Sequence, residues 1–344
     1  MGDGTNMTAD GGADGLRAAE NGVRAAENGL RAAPVAVIGA GLTGGSWAGL
    51  YAAAGLEVRL HDTDDERLKA AVEHAAAAAG FLAGSGLADM LTAERGVDLL
   101  TATADLAEAV ADVQHVQECV REDLAIKRAV FAAISAAAPE DALICTSSSG
   151  LSISEIQTAA AHPERCLAAH PYNPPHLVPL VELAPGALTA PEALDRAAAF
   201  YTAVGKVPVK LTRDLPGYLA NRLSAALWRE AVDLVLRGIA TVDDVDKAVS
   251  YGPGLRWAAM GPHLLYDLGG GQEGIVGHVE HLAAVKEGML RDLATWTTFP
   301  PETGAVLAAG LAEEKGARSY DELVAERDAL LVAYLRAEHE LRDR

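Results

Sequence analysis

Cysteine is scarce. The chain has three in 344 residues, Cys119, Cys145 and Cys166, set in separate apolar segments with no CxxC pair. This argues against a zinc site, any other metal site and a disulfide framework, and it fits a reducing cytoplasm. Positive charge is also short: 28 Lys and Arg against 48 Asp and Glu leave a formal net charge of −20. Such a surface repels nucleic acid and anionic membranes. No apolar run is long enough to span a bilayer, and the N-terminus lacks a hydrophobic signal core. What is there is a half-hydrophobic chain with 22% charged residues, the composition of a soluble protein of about two domains.

Residues 1–33 stand apart. "LRAAENG" from Leu16, "VRAAENG" from Val23 and "LRAA" from Leu30 form a seven-residue repeat with one large apolar position and one glycine per full unit. A coiled coil needs two apolar positions and no glycine. The repeat reads as a flexible tail, with a short helix docking on a partner subunit as the other reading. From Pro34, strand candidates ("VAVIG", "LEVRLHD", "VQHVQEC", "DALICTS", "RCLAAH", "LVPLVEL", "KVPVKL") alternate with helical segments. That order predicts an α/β domain over 34–213, a Rossmann-type doubly wound parallel sheet covered on both faces. Only helix-period segments follow, so 214–344 is expected to be an all-helical substrate and dimerisation domain. Its last helix either packs on its own domain or serves a dimer contact.

"VAVIGAGLTGG" places Gly39, Gly41 and Gly44 in GxGxxG spacing between a strand and a helix. The first glycine permits the tight turn, the second a close approach of pyrophosphate, the third close packing of helix on strand. Gly39, Gly41, Leu42, Thr43 and Gly44 are the expected cofactor contacts, with the helix N-terminus facing the phosphates. Asp62 closes the second strand, where a carboxylate accepts from the adenosine ribose hydroxyls. Asp64, Asp65 and Glu66 follow, with only Arg67 to offset them. Four carboxylates repel a 2′-phosphate, so the expected cofactor is NAD rather than NADP.

"AAHPYNPPHLVPLVEL" sets His170 at a strand end before a proline-stiffened turn and Glu182 within the next strand. A histidine takes a proton near neutral pH, as alcohol oxidation requires. A carboxylate beside it fixes the tautomer and stabilises the charged ring. The buried glutamate thereby gains the partner it needs. His176 is a competing base, though it lies deeper in the proline loop; a purely structural His170 is the other reading.

These segments, with "SSSG" ending at Gly150 and "LANRL" at 219–223, resemble the 3-hydroxyacyl-CoA dehydrogenase superfamily. "VQECVREDLAIK" and "YGPGLRWAAMGP" are most similar to its branch containing L-gulonate 3-dehydrogenase (lambda-crystallin) and L-carnitine dehydrogenase. The resemblance runs from Pro34 to the last helix. It implies His170 as general base, Glu182 as its orienting partner, and Ser149 bonding the reacting oxygen near the nicotinamide. It implies Asn173 contacting the cofactor or positioning the substrate, and Asn221 closing the site over the substrate. Glu122 and Lys127 match positions that touch the nicotinamide ribose in relatives; a solvated helix start with an i,i+5 charge pair is the plainer reading. A homodimer through the helical domain is implied as well.

Arg256, in "GPGLRWA", lies in a glycine- and aromatic-rich segment. Its fork suits a carboxylate, and the resemblance assigns an arginine here to the substrate carboxylate. A structural ion pair or a stack on Trp257 stays open. Trp257, with Tyr251 and Tyr266, forms either a substrate wall, even a cage for a quaternary ammonium, or ordinary core. The expectation is therefore an NAD-dependent dehydrogenase of a small 3-hydroxy carboxylic acid. A 3-hydroxyacyl-CoA dehydrogenase is the alternative, and a catalytically idle NAD-binding structural protein is a third reading.

Overall fold

The computed structural model describes residues 33–342. The tail expected over residues 1–33 lies, but for Ala33, outside them. The described chain divides into two compact units, residues 33–220 with 326–342, and residues 221–325.

The first unit is built on one sheet of eight strands: β1 (Val35–Ile38), β2 (Val58–His61), β3 (Leu100–Thr103), β4 (His115–Glu118), β5 (Leu143–Thr146), β6 (Cys166–Pro171), β7 (Leu180–Pro185) and β8 (Val207–Lys210). Their order is β3-β2-β1-β4-β5-β6-β7-β8, and the direction of winding reverses between β1 and β4. In an open α/β sheet that reversal opens the ligand crevice at the carboxyl ends of the strands. The helices of this unit are α1 (Leu42–Ala53), α2 (Asp65–Gly84), α3 (Met90–Asp98), α4 (Leu106–Val110), α5 (Leu124–Ala137), α6 (Ile153–Ile156) and α7 (Pro191–Ala203). They leave two buried clusters on the sheet, one around Val37, Trp47, Tyr51 and Tyr201, the other around Ile38, Phe131, Ile134 and Ile144.

Two features depart from the strand pattern expected from the sequence. β6 and β7 are antiparallel, because the eight residues 172–179 between them are too few for a parallel crossover, which takes a dozen or more. β3 was not expected at all: its residues "LTAT" are exposed or half-buried, so an edge strand carries no apolar run to read.

The second unit is helical: α8 (Ala220–Leu236, entered from the last residue of the first unit), α9 (Val242–Tyr251), α10 (Pro253–Ala259), α11 (Pro262–Gly269), α12 (Gly274–Asp292) and α13 (Thr303–Lys315). Trp228 and Trp296 both pack on Phe299. A side chain at Gly310 would collide with Val242 at 2.3 Å, so α13 lies tight against α9. The last helix, α14 (Tyr320–Arg342), begins here. From Glu326 it counts with the first unit, where Leu331, Val332 and Leu335 pack against the Trp47 cluster. The expected 34–213 and 214–344 division thus differs at both ends: the first unit runs to Ala220 and regains the end of the chain, because those apolar side chains bury on its core.

Candidate active site

The glycine turn after β1 is dictated by contact. Gly39 has φ +107°, and a Cβ on it would stand 2.7 Å from the Cys119 carbonyl carbon; one on Gly44 would stand 1.9 Å from the Gly39 oxygen. Gly41 has open space on its Cβ side, and no side chain caps α1. The first-turn N–H groups of that helix therefore suit an anion. Leu42 is strongly exposed and Thr43 half-buried at its start. Asp62 bonds back onto the turn: Oδ2 accepts from Ala40 N at 2.9 Å and Oδ1 from Asp64 N at 3.2 Å. An open glycine, an uncapped helix start and a carboxylate at the β2 terminus together fit a dinucleotide carrying free ribose hydroxyls.

At the far side of the sheet, the β6–β7 ladder makes His170 and Glu182 direct partners. Both are buried. His170 Nδ1 lies 3.0 Å from Glu182 Oε2 and Nε2 lies 3.1 Å from Ser149 Oγ. Glu182 Oε1 accepts from the backbone N–H of Leu219 at 2.8 Å and of Ala220 at 2.9 Å. Burial pushes this carboxyl up, but the His170 bond and the Ala220 and Leu219 amides outweigh it and hold Glu182 below its ordinary range. An ionised Glu182 only accepts, so Nδ1 carries the proton and Nε2 presents its lone pair to the exposed Ser149.

Tyr218 stacks its ring on His170, centroids 4.7 Å apart and planes at 17°. Its hydroxyl donates to the Ser148 oxygen at 2.9 Å. It is 2% exposed and has φ +49°, a left-handed conformation that costs a bulky residue about 1–3 kcal/mol.

Beneath Ser149 lies an ionic cluster. Glu122 Oε1 accepts from Ser148 Oγ (2.6 Å) and from the N–H groups of Ser149, Gly150 and Leu151 (3.1, 2.8 and 3.2 Å). Burial raises its pKa, and the Ser148 hydroxyl, the Gly150 amide, Lys127 and the Leu151 amide bring it below the ordinary value. Lys127 is 1% exposed. Its Nζ donates to Glu118 Oε1 at 2.8 Å and to the Val120 oxygen at 3.1 Å, and lies 3.5 Å from Glu122 Oε2. Glu118 also accepts from Thr146 Oγ1 and from Val120 N; burial still holds its pKa above the ordinary value.

The structure therefore brings Ser149, His170 and Glu182 together, sets Glu122 behind Ser149 and places Lys127 deeper, under Glu118. Asn173 is exposed in the loop after β6. His176 does different work: Nδ1 lies 2.7 Å from Ser46 Oγ, which also accepts from His176 N at 3.0 Å. Burial, reinforced by His74, pulls its pKa down to about 4, so it ties the proline loop to α1 as a neutral ring. Lys206 Nζ fastens the same loop by donating to the oxygens of Pro175 and Val178, both at 2.6 Å. Burial pushes all three cysteine thiols up to about 12.

Asn221, Arg256 and Trp257 belong to the second unit. Asn221 directly follows Ala220 in the chain. Arg256 and Trp257 are neighbours on α10, the first exposed and the second 38% exposed. Tyr251 is exposed, but the Tyr266 ring already faces Lys286 Nζ at 4.7 Å and packs on His278, which leaves that face no room for a ligand cation. Sequence reasoning missed Glu118, Thr146 and Tyr218. Glu118, an acid inside an apolar strand, carried the same signal as Glu182; the Tyr218 stack has no local sign.

A model of "3-hydroxyacyl-CoA dehydrogenase, NAD binding domain" matches residues 34–215, and one of "3-hydroxyacyl-CoA dehydrogenase, C-terminal domain" matches 217–306. The chain is 41% identical over 308 residues to L-carnitine dehydrogenase of Streptomyces griseus, covering 88% of this chain and 89% of that protein. It is 37% identical over 274 residues to lambda-crystallin of Oryctolagus cuniculus, covering 79% and 84%. Among solved structures, 5-formyl-3-hydroxy-2-methylpyridine 4-carboxylic acid 5-dehydrogenase, an NAD+ dependent dismutase, superposes with a TM-score of 0.77 at 30% identity, covering 88% of this chain and 97% of that one.

Proposed function

Since this chain belongs to the 3-hydroxyacyl-CoA dehydrogenase family and is an NAD-dependent dehydrogenase, we propose that it oxidises the 3-hydroxyl of a small free 3-hydroxy carboxylic acid to the 3-keto acid. The observation that carries the reading is the buried His170–Glu182 pair with Nε2 directed at Ser149. NAD+, when bound, supplies the hydride acceptor. Gly39, Gly41, Leu42, Thr43 and Gly44 hold its pyrophosphate at the start of α1, and Asp62 holds the adenosine ribose. Glu122, Lys127 and Asn173 shape the nicotinamide side, Glu122 and Lys127 through the Ser149 turn.

The alcohol O–H gives its proton to His170 Nε2 while the C3 hydrogen departs with the bonding pair as hydride to that acceptor, and the electrons of the O–H bond close the C3=O carbonyl. Ser149 orients the hydroxyl between them. Glu182 balances the imidazolium that forms, an interaction stronger in the transition state than before it. In the second unit, Asn221 and Arg256, the latter beside Trp257 on α10, are the proposed substrate-binding residues, Arg256 for a carboxylate. The chain's 41% identity to L-carnitine dehydrogenases favours a carnitine-type acid, and Arg256 supplies a fork for a free carboxylate, a group that a thioester lacks.

A second copy of the chain is the proposed partner. In the second unit, α12 exposes Ile275, Val276, Val279, Val285, Met289 and Leu290, an apolar set of the kind that marks interfaces. The reducing cytoplasm is the proposed compartment, in keeping with three free cysteines; no helix among the described residues is long and apolar enough to cross a membrane.

NADH formation is followed with L-carnitine, L-gulonate, 3-hydroxybutyrate and 3-hydroxybutyryl-CoA. Turnover of a free acid is expected, and turnover of the thioester alone overturns the reading. Light scattering is expected to give twice the chain mass; the mass of one chain at micromolar concentration rejects the dimer.

A further inference from the structure

Tyr218 stacks on His170, and it or its chain neighbours reach the surroundings of Glu182 and Ser149. Its ring lies face-on to His170. Its hydroxyl holds the carbonyl of Ser148, the residue before Ser149. Its left-handed backbone, following Gly217 at φ +78°, directs the next two amides onto Glu182 Oε1. Among the described residues it is the one non-glycine with positive φ. Strained backbone persists where its surroundings fix it, and it gathers at functional sites.

A structural residue explains burial. It does not explain why one side chain and its flanking amides converge on the base, the carboxylate and the serine turn at once. Burial raises the phenol pKa, and the carboxylates of Asp214, Glu122, Glu182 and Glu118 raise it further. The hydroxyl is therefore a fixed donor and not a second acid or base.

We propose that Tyr218 is a positioning residue: it holds His170, Glu182 and the Ser149 turn in one arrangement, and its ring face stabilises the imidazolium formed when His170 takes the substrate proton. The second half draws on the attraction between a cation and an aromatic face. The proposal rests on the reading of His170 as the base, and it separates the two parts of the side chain. The ring acts on charge and the hydroxyl acts on geometry.

The test compares Tyr218→Leu and Tyr218→Phe with wild type, reading kcat, the KM for each substrate and the pH profile of kcat, with His170→Ala as control. Tyr218→Leu is expected to lower kcat by about 10- to 100-fold, with the KM for NAD+ within about twofold, and to move the acid limb of the profile to lower pH. Tyr218→Phe keeps the stack: its acid limb is expected to stay in place while kcat falls a few-fold through a looser Ser149 turn. If the leucine variant does not fold, Tyr218→pentafluorophenylalanine keeps the shape and reverses the charge of the ring face, and the acid limb is expected to move in the same direction. A folded ring variant with wild-type kcat and an unmoved limb, beside an inactive His170→Ala, overturns the proposal and leaves the dehydrogenase reading standing. Turnover at the wild-type rate in His170→Ala overturns the reading beneath it.

Discussion

His170 and Glu182 are register partners in the antiparallel β6–β7 ladder, and their side chains meet at 3.0 Å. Backbone pairing alone delivers the carboxylate to the ring. A slip of one residue would turn Glu182 to the opposite face of the sheet, so the length of the 172–179 loop is itself part of the site.

Glu182→Gln keeps the shape and removes the charge that balances the imidazolium. Turnover is expected to fall by about 10²-fold or more, measured as kcat with saturating NAD+. The same change reports on acid stability. The folded pKa of Glu182 lies below its ordinary value, so its contribution is complete above the unfolded value of about 4.3 and is lost as pH falls through the lower folded one. Thermal melts from neutral to acid pH should show a smaller acid loss in the glutamine variant.

The motifs of the site were legible because each is local. GxGxxG followed by Asp62, and a histidine before a rigid turn, state their chemistry within a few residues. Glu182 was readable as a carboxylate in an apolar strand. What stayed hidden depends on tertiary meeting. Tyr218 reaches His170 only because the chain turns left-handed after Gly217. Lys127 reads as a surface charge at the start of a helix, but its Nζ turns inward to Glu118. β3 is four residues with one large apolar side chain, too little to signal a strand, and Leu331, Val332 and Leu335 do not reveal by their spacing which unit they cover.

Lys127→Met should destabilise the first unit by about 3–5 kcal/mol, the usual result of stranding one member of a buried ion pair. Glu118 would be left in its enclosure without a cation. The double variant Lys127→Met, Glu118→Gln should recover much of the loss. Urea denaturation of the two variants and wild type measures both effects.

Lys206→Met removes the donor to the oxygens of Pro175 and Val178 and the cation 5.0 Å from the Trp47 ring centre. Stranded carbonyls cost about 1–3 kcal/mol each. A lower denaturation midpoint is expected, together with faster proteolysis of the 172–179 loop, which limited digestion followed by mass spectrometry would detect.

Gly44→Ala places a Cβ against the Gly39 oxygen. Relief must come from α1 moving off the turn. Overpacking of this kind costs about 1–3 kcal/mol; where NAD+ binding has to restore the tight turn, the same energy lowers its affinity by roughly 5- to 150-fold. Fluorescence titration with NADH checks it, with circular dichroism to show that the fold is retained.

The transfer of the alcohol proton to His170 is tested most directly by His170→Ala, with turnover and NADH affinity measured on the same preparation. Turnover is expected to fall by about 10²–10⁴-fold while the NADH dissociation constant stays within about twofold of wild type. A variant that binds NADH normally and still turns over at the wild-type rate would contradict the account.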